Sequence, residues 1–299
     1  MTELIRSLIF VPGNRANMLE RARSFNADII MVDLEDSVPP AEKANAKDLA
    51  TQWVPVLQGE GQRVMVRVNS LDTGLTRTEL EAVVSPHLYG ISLGKVESVW
   101  HIRDVDRLLT ALEPAARVQP GSIKIIPWIE SAKAVWGARE IAESSPRVVA
   151  IAFGAEDYTN DMGVERTDAG EEVSVPRAMV PVAARAGDLA SLDSPFVSFQ
   201  DPDALRQDAR RGRQMGYTGK FAIHPSQLDI INDVFSPSAE EIGYARRVME
   251  AWYQAEAGGR GSLALDGRMV DVPVVKRAQN LLALADAVES HAHARAQAK

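Results

Sequence analysis

Ile123-Lys-Ile-Ile-Pro-Trp-Ile-Glu-Ser131 and Val148-Val-Ala-Ile-Ala-Phe-Gly-Ala-Glu-Asp157 are two apolar runs that each end on acids. The stretch between them is rich in Ala and Glu and reads as a helix. A short, continuously apolar run followed by an amphipathic helix indicates a strand of a parallel sheet buried on both faces. Working outward, the same alternation recurs almost from end to end. Strands are expected at 6–11, 28–34, 63–68, 90–93, 123–129, 148–153, within 189–199, and at 219–223. Helical patterns fill 16–25, 42–57, 78–85, 99–112, 132–144, 177–186, 202–215 and 225–235. Eight such βα units indicate an α/β fold of the TIM (β/α)8 barrel type. An open, doubly wound sheet is the alternative. After Phe235 the rhythm breaks. Ser236-Pro-Ser238 reads as a helix cap, with the helix running to about Ala257. Gly258-Gly-Arg-Gly261 reads as a joint. An Asp266-Gly267 turn signals a β-hairpin, and Pro273 opens a last helix towards Ala287, followed by a frayed polar end. The expected organisation is a barrel domain over 1–235 and a C-terminal helical and hairpin extension over 236–299.

Composition narrows the function. The 299 residues are 45% hydrophobic and 25% charged, with a formal net charge of −8 and no cysteine. That is ordinary globular composition. The negative balance, with no basic run interleaved with aromatics, argues against a nucleic-acid partner. The lack of cysteine removes disulfides, thiolate nucleophiles and cysteine-based zinc sites. No apolar run is long enough to cross a membrane, and the first, Leu4 to Val11, reads as a strand rather than a signal sequence. A soluble cytoplasmic protein is expected.

In a barrel the active site lies at the C-terminal ends of the strands. Those ends read Val11-Pro-Gly-Asn14, Asp33-Leu-Glu-Asp36, Arg67-Val-Asn69, Gly94-Lys-Val-Glu97, Glu130-Ser131, Gly154-Ala-Glu-Asp157, Ser198–Asp201 and His224-Pro225. Two carboxylates, Glu130 and Asp157, at neighbouring ends suit a hard, oxygen-ligated cation such as Mg²⁺. Capping of the following helices is the competing role. Arg67 suits a substrate carboxylate or a developing oxyanion, or an ion pair with Asp33, Glu35 or Asp36. Those three acids suit either the outer shell of a metal site or a solvated turn. Lys95 reads as a Schiff-base or substrate lysine, or as half of an ion pair. His224 reads as a substrate donor or a structural histidine. The Val11–Asn14 loop, followed by Arg15, Arg21 and Arg23, is a weak phosphate-binding signal. Asp271, just before Pro273, reads locally as a helix N-cap.

These segments resemble the citrate lyase β-subunit-like family of TIM-barrel acyl-CoA lyases. Within it the resemblance is nearest to the citramalyl-CoA lyases. It is carried by Arg6-Ser-Leu-Ile-Phe-Val-Pro-Gly13, Val32-Asp-Leu-Glu-Asp36, Val66-Arg-Val-Asn69, Lys95-Val-Glu-Ser98, Ile129-Glu-Ser131, Phe153-Gly-Ala-Glu-Asp157, Gly216-Tyr-Thr-Gly-Lys220, Ile223-His-Pro-Ser-Gln227, Phe235-Ser-Pro-Ser238 and Gly267-Arg-Met-Val-Asp-Val-Pro273. The resemblance implies Glu130 and Asp157 as Mg²⁺ ligands, with Mn²⁺ a possible substitute. Arg67 falls on the substrate arginine. Asp271 falls on the acid/base of a lid that closes over an adjacent subunit. Phe10 and Arg21 fall near CoA, with Lys95, Ile223 and His224 also lining the substrate. Asp33, Glu35 and Asp36 stand behind the metal. It implies a trimer or a dimer of trimers, and a reversible retro-Claisen cleavage of a 3-hydroxy-3-carboxyacyl-CoA to acetyl-CoA and a 2-oxo acid. A citrate lyase β subunit acting on a carrier-protein thioester, and a metal-dependent 2-oxo-acid aldolase, are the alternatives. Two positions depart from the family pattern: Gly94 stands where proline is common, and Asn17 where a second basic residue helps to hold CoA.

Overall fold

The computed structural model describes residues 4–167, 169–257 and 261–297. In chain order its main elements are β1 (Ser7–Pro12), α1 (Ala16–Ala22), β2 (Ile29–Asp33), α2 (Lys43–Gly59), β3 (Val64–Val68), α3 (Thr76–Val83), β4 (Gly90–Leu93) and α4 (Val99–Leu112). There follow β5 (Lys124–Ile129), α5 (Ala132–Trp136), α6 (Ala138–Ala142), β6 (Ala150–Phe153), α7 (Ala155–Met162), α8 (Ser174–Ala186), β7 (Ala190–Asp193), α9 (Pro202–Met215), β8 (Gly219–Ala222) and α10 (Leu228–Val234). The eight strands pair in parallel and in sequence order, and β8 closes on β1. The barrel expected from the eight apolar runs is therefore present.

Strand alternation sets what faces inward. Leu8, Ile29, Met31, Met65, Ile126, Trp128, Ala150, Ala152, Leu192 and Phe221 form one buried cluster, with Phe10 packed against it. They fill the barrel lumen. Phe10, Trp128 and Phe221 stack near its top, with ring centroids 4.5–5.8 Å apart. One step of two residues further along each strand reaches the mouth. Met31 leads to Asp33, Met65 to Arg67, Trp128 to Glu130, Ala152 to Gly154 and Leu192 to Ser194.

Four details differ from the sequence reading. The helix expected over 132–144 is broken at Gly137 into α5 and α6. The helix after strand six, α7, begins at Ala155, ahead of Asp157 rather than behind it. Strand seven stops at Asp193. Ser198–Asp201 are therefore not the strand end, and Asp201 instead caps α9 by accepting from the Ala204 N–H at 2.9 Å. The last helix continues well past Ala287.

The chain divides into two compact units, Met1–Asn232 and Asp233–Lys299. The second contains α11 (Ala239–Ala257), the antiparallel pair β9 (Leu263–Leu265) and β10 (Arg268–Val270), and α12 (Val272–Gln297). Ser238 and Glu241 form a reciprocal capping box at the start of α11. Asp266 and Gly267 both have positive φ, as a two-residue hairpin turn requires. Ala245, Val248, Met249, Val270, Val275 and Ala278 form this unit's own small core. Of the joint read at Gly258–Gly261, residues 258–260 lie outside the described residues, as do the last two of the polar end. Among the described residues no helix is long and apolar enough to cross a membrane.

Candidate active site

Asp33 and Arg67 are register partners on β2 and β3. Asp33 is fully buried. Its two oxygens accept from Arg67 Nε at 2.7 Å and Nη2 at 2.6 Å. They also take the main-chain N–H groups of Glu35 at 2.9 Å and Ser37 at 3.1 Å. Burial would raise the Asp33 carboxyl, but Arg67 holds it below its ordinary value. Arg67 further donates Nη1 to Asp36 at 3.1 Å, lies 3.4 Å from Glu35, and sits 4.5 Å over the Phe10 ring. The ion pair and the substrate-facing reading of Arg67 therefore coexist. A guanidinium has five N–H donors, and these three bonds leave one N–H on each of Nη1 and Nη2, with Nη1 also beside Glu35. Asp33 acts here as the clamp on Arg67.

Glu130 follows β5 and is buried. It does not cap α5, because Ser131 does so by accepting from the Ala134 N–H at 3.1 Å. Its one hydrogen bond among the described residues comes from the main-chain N–H of Lys95, 2.5 Å from Oε1. Burial, and then the charge of Asp157, push the Glu130 carboxyl up to about 8. Asp157 lies inside the first turn of α7 rather than at its cap. Burial and then Asp36 raise its carboxyl as well. Gly154 is the N-cap of α7 and has no side chain to cap with. A Cβ there would fall 2.5 Å from Glu130 Oε2. Ser194 supplies the cap instead, accepting from the Ala155 N–H at 3.0 Å and donating to the Phe153 carbonyl at 2.7 Å. The sequence pattern does not single out Ser194, because the apolar run there continues past the true end of strand seven.

Glu35 is buried, and its Oε1 has no hydrogen-bond partner among the described residues. Burial pushes its carboxyl up to about 7. Lys95 Nζ stands 3.5 Å from both Glu35 and Asp36, and those acids hold its charge against partial burial. The mouth thus contains raised, incompletely compensated carboxyls, with no sulfur or imidazole donor beside Glu130 and Asp157. This donor set fits a hard divalent cation. Among the described residues no group of three or more His, Asp and Glu could cage a metal. A cation held by Glu130 and Asp157 would complete its shell from water or substrate.

The remaining residues take separate places. Arg21 is exposed on α1, as is Asn17. Ile223 is 41% exposed just past β8. His224 caps a short 3₁₀ turn, its Nδ1 accepting from the Ser226 N–H at 3.2 Å. It stacks on Phe199 with centroids 5.0 Å apart. Accepting at Nδ1 leaves Nε2 to carry a donor proton. Gln227 pins this segment by accepting from the main chain of Ile223 and His224. In the C-terminal unit, Asp271 accepts from the Val274 N–H at 3.3 Å. This is the N-cap expected from local pattern.

Outward-facing residues of β7 and β8 form a second polar cluster. Lys220 Nζ lies 2.7 Å from both Asp193 and Asp208 and donates to the Ser194 carbonyl at 2.6 Å. Arg177 pairs with the same two acids. Through Ser194, this cluster supports the start of α7 that carries Asp157.

The chain is similar to known proteins over most of its length. The family described as HpcH/HpaI aldolase/citrate lyase matches residues 6–225. A citrate lyase subunit beta from Leuconostoc mesenteroides subsp. cremoris is 37% identical, over 95% of this chain and 94% of its own. An L-malyl-CoA/beta-methylmalyl-CoA lyase from Cereibacter sphaeroides is 32% identical, over 95% and 96%. Among solved structures, CitE from Mycobacterium tuberculosis in complex with magnesium, acetoacetate and coenzyme A superposes with a TM-score of 0.78. It is 28% identical, and the match covers 95% of this chain and 98% of that one.

Proposed function

This chain belongs to the HpcH/HpaI aldolase/citrate lyase family, a family of carbon–carbon lyases, and on that premise we infer that it cleaves a 3-hydroxy-3-carboxyacyl-CoA of the citramalyl-CoA or malyl-CoA kind. The products are acetyl-CoA, or a short homologue of it, and a 2-oxo acid such as pyruvate or glyoxylate. One observation carries the reading: Glu130 and Asp157, two acids with raised pKa, share the barrel mouth with an Arg67 clamped by Asp33. Glu130 and Asp157 would hold Mg²⁺, or Mn²⁺ in its place. When bound, the ion supplies Lewis acidity to substrate oxygens.

The chain's own residues do the rest. The remaining N–H groups of Arg67 bind the substrate carboxylate and stabilise charge that develops on oxygen. Asp33 prevents the guanidinium from turning away. The substrate hydroxyl passes its proton to solvent water as its C–O bond becomes the ketone of the oxo acid. The neighbouring C–C bond then breaks, and its electron pair passes into the thioester as an enolate. Asp271 protonates the enolate carbon to give acetyl-CoA. In this reading residues 236–299 form a lid that reaches an adjacent subunit of a trimer or a dimer of trimers. Closure would keep water from the enolate. Phe10 and Arg21 serve the CoA arm, and Lys95, Ile223 and His224 line the substrate, with Nε2 of His224 as a donor. A reducing, cytoplasmic setting accords with a chain that has no cysteine.

A citrate lyase β subunit acting on a carrier-protein thioester is the second reading, favoured by the Leuconostoc relative. The test is a panel of free CoA thioesters given to the isolated protein with Mg²⁺ and scored by 2-oxo acid release. Turnover of citramalyl-CoA, malyl-CoA or β-methylmalyl-CoA supports the first reading. Turnover only of a citryl thioester on its carrier supports the second.

A further inference from the structure

Lys95 has a φ of +55°. This left-handed region is unfavourable to any residue with a Cβ, most of all to a β-branched one. The conformation turns the Lys95 main-chain N–H onto Glu130, which accepts it at Oε1. On the other side of the same carboxylate is Gly154, where a Cβ would meet Oε2 at 2.5 Å and Glu130 Cβ at 2.7 Å. Glu130 is thus enclosed between a directed N–H and a glycine with no side chain. Gly94 is equally tight, since a Cβ there would lie 2.8 Å from both oxygens of Glu35. The Gly94-Lys95 step is therefore wedged between two carboxylates. The Lys95 ammonium does less. Its side chain is 45% exposed, and its acids stand at 3.5 Å, beyond good hydrogen-bond distance.

We propose that Lys95 is a positioning residue for Glu130, acting through its left-handed main chain rather than through its ammonium. The N–H occupies Oε1 and fixes the carboxylate's rotation, while Gly154 gives Oε2 the space in which to face a cation. Holding a ligand in its bound geometry strengthens binding by reducing the ordering that binding must impose. The proposal rests on the reading of Glu130 as a metal ligand.

Mn²⁺ titration followed by the electron paramagnetic resonance of free Mn²⁺ separates the possibilities without any turnover. Lys95→Met removes the charge and keeps an ordinary side chain. Lys95→Gly removes the charge and welcomes the positive φ. Lys95→Val disfavours it. Gly154→Ala attacks the same carboxylate from α7, should the valine variant not fold. Met and Gly are expected to bind Mn²⁺ within about threefold of wild type. Val and Gly154→Ala are expected to bind roughly 10–100-fold more weakly, as is usual when a ligand's support is lost. Met as weak as Val would overturn the proposal in favour of the ammonium. Wild-type affinity in both Val and Gly154→Ala would overturn it outright. If Glu130→Ala binds Mn²⁺ as wild type does, the metal assignment itself falls, and the proposal with it.

Discussion

Replacing Asp33 by Asn changes one charge and almost no volume, at a site where both are accounted for. Four N–H donors converge on the two Asp33 oxygens: two from Arg67, at 2.7 and 2.6 Å, and the main-chain groups of Glu35 and Ser37. Each oxygen takes one Arg67 N–H and one main-chain N–H, so an amide NH₂ in either place must face a guanidinium donor and a main-chain donor at once. Losing one partner of a buried ion pair costs about 3–5 kcal/mol. Arg67 keeps Asp36 at 3.1 Å and Glu35 at 3.4 Å, so the low end, about 3 kcal/mol, applies. At about 2 °C per kcal/mol for a chain of this size, Tm should fall by roughly 6 °C. The Arg67 head should also lose its aim, lowering kcat for the CoA thioester while Mn²⁺ affinity stays unchanged. Thermal melts followed by circular dichroism, with a urea titration for the free energy, measure the first effect. A Tm within about 1 °C of wild type, with kcat intact, would mean that Arg67 needs no clamp.

Other outcomes follow from the same structure. Asp271→Asn should cut turnover steeply yet leave Mn²⁺ affinity unaltered, because Asn still caps α12; wild-type turnover would remove Asp271 from the chemistry. Asp208 is half-buried, and although burial alone would raise its carboxyl, Lys220 and Arg177 hold it at about 2. A folded-state pKa below the unfolded value gives stability that is complete above about pH 4 and lost as pH falls towards 2. The contribution is on the order of 2 kcal/mol. Urea midpoints should therefore fall between about pH 4 and 2 in wild type, and fall less in Asp208→Asn. Gly94→Ala should weaken both stability and activity, since its Cβ would enter the space of the Glu35 carboxylate. An alanine variant indistinguishable from wild type would show that Glu35 can give way.

The barrel was legible because its strands are apolar on both faces and bounded by polar turns. Strand parity also carried more of the site than single motifs did. Asp33, Arg67 and Glu130 each lie two residues beyond a lumen side chain, which is why they meet. The misses have physical causes. Helix α7, Ala-Glu-Asp-Tyr-Thr-Asn-Asp-Met, has little apolar stripe to mark where it starts. Strand seven was overrun because Pro195-Phe196-Val197 continues the apolar pattern after the strand has ended at Asp193. Asp193 and Lys220 are polar residues on outward faces, buried only because Arg177 and Asp208 approach from α8 and α9. No local pattern reports such a partner. The positive φ of Lys95 was equally silent, since Lys is not a residue that favours it. Asp271 shows the opposite limit. Its local geometry is a helix cap, and only family resemblance gives it a proton to move.

If Glu130 and Asp157 hold a divalent cation, cleavage of a CoA thioester depends on both acids and on the metal. The most direct measurement follows 2-oxo acid release from citramalyl-CoA and malyl-CoA by wild type and Glu130→Ala, each with Mg²⁺ and with a chelator. Release, matched mole for mole by acetyl-CoA, is expected only in the wild-type protein with Mg²⁺. Release that persists in the chelator, or in Glu130→Ala, would contradict that dependence.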